Sequence, residues 1–209
     1  MEIILGLIIL IFSAIIHEVA HGYVADRLGD PTARLLGRLT LDPRPHIDPY
    51  MTILLPLLMI VGGSPIVFGG AKPVPIDPFN FREGRKDMAI VALVGPGTNL
   101  LIAIIASLIL KIFLLSNFSQ LYAICYTLFA LIIQYNLLLA IFNLLPIPPL
   151  DGSKVFAMLL PKNLADTYLS IQQMGMFLLL FLLFFPIGGF SLMGFVTNLL
   201  HTATSILLP

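Results

Sequence analysis

The sequence is poor in charge and in cysteine. Only 11% of its 209 residues are charged, whereas a typical soluble domain has about 25%. So few charges cannot cover a globule with polar surface, which excludes a soluble monomer. The single cysteine, Cys125, excludes an internal disulfide framework and a metal site built from several cysteines. Acidic and basic residues balance at 11 each, so we expect no nucleic acid partner.

Apolar residues are abundant, at 58% of the chain, and the mean hydropathy is +1.01. This excludes an intrinsically disordered chain, which needs low hydrophobicity and high charge. A helix that spans a bilayer needs about 20 mostly apolar residues. The sequence therefore predicts an all-α integral membrane protein, a polytopic helix bundle of about five to six membrane segments. The candidate segments are 2–24, 50–68 (a shorter one), 88–115, 121–147, 171–186 and 190–208.

Three polar stretches, 25–49, 71–87 and 146–170, separate these segments. None is large enough for an appended soluble domain, so we predict a single transmembrane domain over 1–209. Closely spaced prolines predict short extended stretches near 66–80. The first two polar stretches carry four basic residues each, so the positive-inside rule gives no orientation.

The first apolar segment contains the sequence HEVAH at 17–21. Ionisable groups within a membrane helix are costly and indicate function by default. Residues four apart lie on one face of a helix, so His17 and His21 can bind one metal ion. Glu18 beside them can act as a general base toward a water that the metal activates. Nitrogen and oxygen ligands with an open position favour Zn²⁺. The alternative is a set of ordinary buried polar residues, which an apolar helix makes less favourable.

A catalytic zinc site needs a third protein ligand. Asp151 is the best candidate, because it follows a long apolar segment within NLLPIPPLDG at 143–152. The prolines interrupt the helix there, and non-helical backbone at membrane depth is tolerated where it is buried in protein or lines a wet cavity. The alternative for Asp151 is a helix cap or a turn residue.

Three elements, HEVAH at 17–21, GPGTN at 95–99 and NLLPIPPLDG at 143–152, resemble in order and separation the site-2 protease family of intramembrane zinc metalloproteases. The resemblance covers about residues 5–160, which it implies are the catalytic core. The segments 171–186 and 190–208 would be additional C-terminal helices. The chain looks like the minimal form of the family, without PDZ or CBS domains.

The resemblance implies a role for each matching residue. His17, His21 and Asp151 would bind one Zn²⁺ per chain, and Glu18 would be the catalytic glutamate. Asn143 matches an asparagine near the scissile peptide, where its amide would bind substrate and donate to the oxyanion.

The same resemblance implies a substrate and a location. The substrate would be the transmembrane segment of another protein, cleaved within or near the lipid bilayer, in a prokaryotic plasma membrane. The substrate helix would have to unwind locally, and 71–81 could offer an extended edge for it to pair with. A plain connecting loop is the alternative for that stretch.

Segment 50–68 is additional to the simplest members of the family. For the motif histidines and Asp151 to reach one ion, helices 2–24 and 121–147 should run parallel, with 88–115 antiparallel to both. A single full crossing by 50–68 would break this parity. We therefore predict a re-entrant or broken segment near 50–68, which walls or gates the site.

Two other classes of protein remain as alternatives. A non-hydrolytic membrane metal-binding or transport protein would use the same intramembrane charges. It would not explain why Glu18 lies directly beside His17. A catalytically inactive scaffold is disfavoured by the intact HEVAH and Asp151.

Overall fold

A computed structural model describes residues 2–54, 57, 58, 61, 71–115 and 119–208. Within these ranges the chain is predominantly helical and contains no strand, which confirms the all-α prediction. The main helices are α1 Glu2–Leu28, α2 Thr32–Leu35, α3 Arg85–Leu115, α4 Ser119–Asn143, α5 Asp151–Leu159, α6 Lys162–Ser170, α7 Gln172–Phe184 and α8 Leu192–Leu207.

Among the described residues, three helices are long and apolar enough to span a membrane. They contain Ile4–Leu28 of α1, Arg85–Leu115 of α3 and Cys125–Asn143 of α4. A fourth span exists only if α6 and α7, which meet at a bend of 76°, count together. Within the described residues, the number of spans is therefore somewhat lower than the predicted five to six; one predicted segment, 50–68, lies largely outside them.

The difference lies in the C-terminal helices. The predicted spans 171–186 and 190–208 become α7 with 13 residues and α8 with 16. At 1.5 Å per residue, these helices are about 20 and 24 Å long, less than the hydrocarbon thickness of about 30 Å. Pro186 and two glycines with positive φ, Gly188 and Gly189, turn the chain between them. Apolar composition continues across this turn, but the helix does not.

Helices α1 and α3 run antiparallel. The Asn99 amide of α3 donates to the backbone oxygen of Ser13, early in α1. His21, later in α1, contacts the backbone oxygen of Val91, earlier in α3. Residue numbers therefore rise along one helix as they fall along the other.

Helices α3 and α4 are also antiparallel, because Asn99 contacts Asn136 while Phe113 packs against Phe129. Since α3 opposes both neighbours, α1 and α4 run parallel, as predicted from the positions of HEVAH and Asp151. Small residues of α3 let the two helices approach closely. The buried cluster between α3 and α4 consists of Ala103, Ala106, Leu110, Ile133 and Leu137.

The predicted re-entrant segment near 50–68 lies largely outside the described residues. Its described beginning is a π-helical turn at Pro49–Leu54. Of the predicted extended stretches near 66–80, residues 71–77 form neither helix nor strand, and a 3₁₀ turn follows at Pro78–Asn80. The prediction of one domain over 1–209 stays a prediction.

Candidate metal centre

Three buried side chains from two helices converge on one point. His17 and His21 lie four residues apart on α1, and Asp151 is the first residue of α5. The two Nε2 atoms are 3.0 Å apart. Oδ2 of Asp151 lies 3.1 Å from Nε2 of His17 and 3.0 Å from Nε2 of His21. All three residues are less than 9% exposed, so the cluster lies inside the bundle.

The loop between α4 and α5 delivers Asp151 to the histidines. Tight turns follow the end of α4, with the Ile147 amide bonded to the Leu145 carbonyl and the Leu150 amide to the Ile147 carbonyl. Helix α5 then begins in direct contact with the end of α4. At Gly152 an added Cβ would lie 2.2 Å from the Leu144 carbonyl oxygen, so only glycine permits this approach.

The outer nitrogens of both histidines are also held. Nδ1 of His21 lies 2.7 Å from the backbone oxygen of Val91, which can only accept a hydrogen bond. Nδ1 of His17 lies 2.6 Å from Oδ1 of Asn99, which is likewise an acceptor. Each imidazole therefore carries its proton on Nδ1. In the neutral rings, both Nε2 atoms present lone pairs to the centre of the cluster.

This donor set fits a zinc ion. Two lone pairs and a carboxylate oxygen at 3.0–3.1 Å repel one another unless a cation or an extra proton lies between them. Tetrahedral zinc with bonds of about 2.0–2.1 Å places its ligand atoms about 3.3 Å apart. At Gly95 of α3, an added Cβ would lie 2.4 Å from Nε2 of His21 and 2.6 Å from Nε2 of His17. The missing side chain keeps this space open.

Lys154 pairs with one of the two carboxylate oxygens of Asp151. Its ammonium donates to Oδ1 at 2.9 Å, so the carboxylate presents Oδ2 alone to the histidines. The charge of Lys154 stabilises the ionised form of this carboxylate. An ionised carboxylate is the form that binds a metal ion.

Glu18 lies next to the cluster and is partly buried. Its Oε2 accepts a hydrogen bond of 2.8 Å from the backbone amide of Val74. The segment 71–77 thus runs directly over the carboxylate proposed as general base.

Most backbone donors of this segment are already used. The Lys72 amide donates to the His46 carbonyl, and the Asp77 amide donates to Asp30. Pro73 and Pro75 have no N–H. The hypothesis that 71–81 offers a pairing edge would therefore require some of these bonds to break.

Asn143, the last residue of α4, does not join the cluster of ligating atoms. Its amide Nδ2 donates to the Leu139 carbonyl one turn earlier, at 3.0 Å. This bond uses one of the two N–H donors of the amide.

Sequence reasoning missed several residues around the cluster. It assigned no role at the site to Asn99, whose oxygen lies 2.6 Å from Nδ1 of His17. It did not identify Lys154, Gly95 or Asn136. An amide within an apolar span, as at Asn136, was the one available signal.

The chain matches the model of one protein family, described as peptidase family M50, over residues 5–125 and 118–186. Two curated relatives have names that mark them as candidate zinc metalloproteases. YwhC of Bacillus subtilis is 38% identical over 188 residues, which cover 88% of this chain and 82% of YwhC. Rip2 of Mycobacterium tuberculosis is 32% identical over 171 residues, which cover 82% of this chain and 62% of Rip2. No solved structure matches the chain.

Proposed function

Because this chain belongs to peptidase family M50, the site-2 family of zinc metalloproteases, we propose that it is an intramembrane protease. It cleaves peptide bonds within or near the transmembrane segments of other membrane proteins. The observation that carries this proposal is the convergence of His17, His21 and Asp151 between spanning helices. Asn99, which contacts His17, lies near the midpoint of the 31-residue α3, so the cluster is far from either end of that helix.

We propose that His17, His21 and Asp151 hold the zinc ion through Nε2, Nε2 and Oδ2. When bound, zinc supplies Lewis-acid chemistry that acidifies a water molecule and polarises a carbonyl group. Gly95 keeps the room that the ion needs, and Lys154 holds the second oxygen of Asp151 away from the histidines.

Glu18 moves the proton in this proposal. Its carboxylate takes a proton from the attacking water, whose oxygen adds to the peptide carbonyl carbon. The carboxyl then gives this proton to the peptide nitrogen as the C–N bond breaks. The proton is conserved, and Glu18 returns to its ionised form. The Val74 amide donates to Oε2, so we assign this proton to Oε1.

Asn143 is the proposed oxyanion donor. Leu139 uses one N–H of its amide, which leaves the second N–H for the substrate carbonyl. Preorganised donors of this kind typically contribute about 10²–10³-fold to the rate.

The exposed side chains of the spanning helices support a lipid bilayer as the surrounding of this site. Large apolar residues face outward along α1 and α3, with Ile4 66% and Ile112 67% exposed. We propose a prokaryotic plasma membrane as the location, since the named relatives are bacterial.

The decisive experiment uses the purified chain in liposomes with a panel of single-pass membrane proteins as substrates. Glu18→Gln is expected to keep one zinc per chain and to lose about 10²–10⁴-fold in cleavage rate. Glu83→Gln makes the same change at an exposed position just before α3. This variant is the matched control and should retain activity. Mass spectrometry of the products locates the cut bond. Cuts confined to soluble parts of the substrates, or full activity of Glu18→Gln, would overturn the proposal.

A further inference from the structure

A line of buried polar side chains connects the three spanning helices and ends on His17. Ser13 lies on α1, Asn99 on α3 and Asn136 on α4, and both asparagines have no exposed surface. The Asn99 amide donates to Oδ1 of Asn136 at 2.8 Å. The Asn136 amide donates to Ser13 Oγ and to the Ile132 carbonyl, each at 2.9 Å. Apolar surroundings make the loss of any of these bonds costly.

The line has a direction, because it begins on a group that can only accept. The backbone oxygen of Ile132 requires Nδ2 of Asn136 to face it, so Oδ1 of Asn136 points to Asn99. Asn99 must then present its own Nδ2 to Asn136 and to the backbone oxygen of Ser13, and its Oδ1 to His17. That oxygen requires the proton of His17 on Nδ1. The lone pair of His17 Nε2 is thereby directed at the centre of the cluster.

The proton position on His21 does not depend on a line of side-chain hydrogen bonds. Its Nδ1 is bonded directly to the backbone oxygen of Val91, whose direction no side-chain flip can change. His17 instead depends on an amide that is nearly symmetric in shape. If Asn99 turned by 180°, its N–H groups would face Nδ1 of His17 and would favour the proton on Nε2, where a metal has to bind.

We infer that Asn136 is a positioning residue for the metal centre and acts on His17 through Asn99. This inference rests on the proposed role of His17 as a zinc ligand. Partners of metal-bound histidines typically contribute about 10–100-fold to metal affinity. Asn136 does not touch the histidine itself. Its Oδ1 is the nearer of the two acceptors, with the Ser13 carbonyl, that hold Nδ2 of Asn99 away from His17.

The test measures zinc affinity by competition with a chelator, and the absorption spectrum of the Co²⁺-loaded protein. Asn136→Leu is expected to weaken zinc binding about 10–100-fold and to change the Co²⁺ spectrum. The smaller Asn136→Ala removes the same acceptor and serves if the leucine variant does not fold. Ser107→Ala is the matched control, because Ser107 is a buried polar residue of α3 that bonds to the Leu207 carbonyl and does not touch the cluster.

A rescue separates positioning from plain helix packing. In Asn99→Asp, both side-chain oxygens accept, so His17 keeps its proton on Nδ1 whatever stands at 136. Adding Asn99→Asp to Asn136→Leu is therefore expected to restore zinc affinity to within a few-fold of the wild type.

The outcomes distinguish failure of the proposed zinc site from failure of the positioning role of Asn136. If the wild type binds no zinc, the proposed ligand role fails. If the wild type binds zinc but Asn136→Leu and Asn136→Ala behave like Ser107→Ala, the positioning role alone is wrong. If Asn99→Asp alone binds zinc as the wild type does, a loss that it does not rescue also overturns the positioning role.

Discussion

Gly95 is the residue whose missing side chain makes room between the two histidines. Its ideal Cβ position is 2.4 Å from Nε2 of His21 and 2.6 Å from Nε2 of His17. We expect Gly95→Ala to abolish zinc binding, because the methyl group would occupy the space in front of both lone pairs. Helix α3 itself should persist, since alanine is a better helix former than glycine. Elemental analysis of the purified protein measures the metal.

Gly97, two residues along the same helix, is the control for this change. An added Cβ there meets no atom within 4 Å, so Gly97→Ala should bind zinc as the wild type does. Equal zinc content in both variants would contradict the assignment of the cluster as the metal site.

At the residue scale, the sequence predicts those site residues that lie close to one another along the chain. His17 and His21 share a helix face by spacing alone, and Glu18 is defined by its place between them. Gly95 and Asn136 matter through the register between helices. Their distances from the histidines depend on the axial positions of α3 and α4 relative to α1. No local sequence pattern specifies these positions.

At the element scale, Asp30 fastens the end of α1 to the loop before α3. Its carboxylate accepts hydrogen bonds from the Asp77 amide at 2.8 Å, the Asn80 side chain at 2.9 Å and the Thr32 amide at 3.1 Å. Asp30→Asn removes one acceptor and leaves a buried donor unpaired. We expect a loss of about 1–3 kcal/mol in the free energy of unfolding. Thermal unfolding in detergent at pH 7 measures the loss.

The same carboxylate makes this stability depend on pH. Burial raises the pKa of Asp30, but the hydrogen bonds from Thr32, Asn80 and Asp77 lower the pKa by more. The contribution is therefore complete above the unfolded pKa of about 3.9 and is lost as pH falls through the lower folded pKa. The difference in stability between wild type and Asp30→Asn should shrink below about pH 4. Asp166→Asn, at an exposed position of α6, should show no such difference at either pH.

The elements themselves were predictable where a long apolar run is one straight helix, as in α1 and α3. The C-terminal half was harder, because hydropathy records composition and not direction. The bend between α6 and α7 follows from packing on the α4–α5 loop, where Tyr168 donates to the Pro146 carbonyl. At Gly175 of α7, an added Cβ would lie 2.5 Å from the Pro148 carbonyl oxygen. Such contacts over long sequence separation leave no periodic pattern.

At the scale of the whole molecule, the polarity of the bundle is reversed relative to a soluble protein. Ser13, Asn99, Ser107 and Asn136 of the spanning helices are buried, and large apolar side chains of the same helices are exposed. The bilayer core contains no water that could replace hydrogen bonds lost between the helices. Lipid tails are as apolar as the outer side chains, so these side chains need not be buried in protein.

The alternating directions of the spans predict which ends share a side of the membrane. Arg82 precedes α3 and Asp166 lies on α6. The Arg85 side chain, at the start of α3, bonds to the carbonyl groups of Ala157 and Leu160, shortly before α6. Single cysteines at 82 and 166, in a Cys125→Ser background, should react with an impermeant maleimide from the same side of sealed vesicles. A cysteine replacing Leu115, at the far end of α3, should react only from the other side. Labelling of 82 and 166 from opposite sides would contradict the bundle.

The hydrogen bond between the Val74 amide and Glu18 joins the 71–77 segment to the helix that carries HEVAH. The same segment is held near its two ends by the bonds from the Lys72 amide to His46 and from the Asp77 amide to Asp30. Any displacement of the segment from α1 would therefore uncover a backbone donor and a carboxylate acceptor at one place.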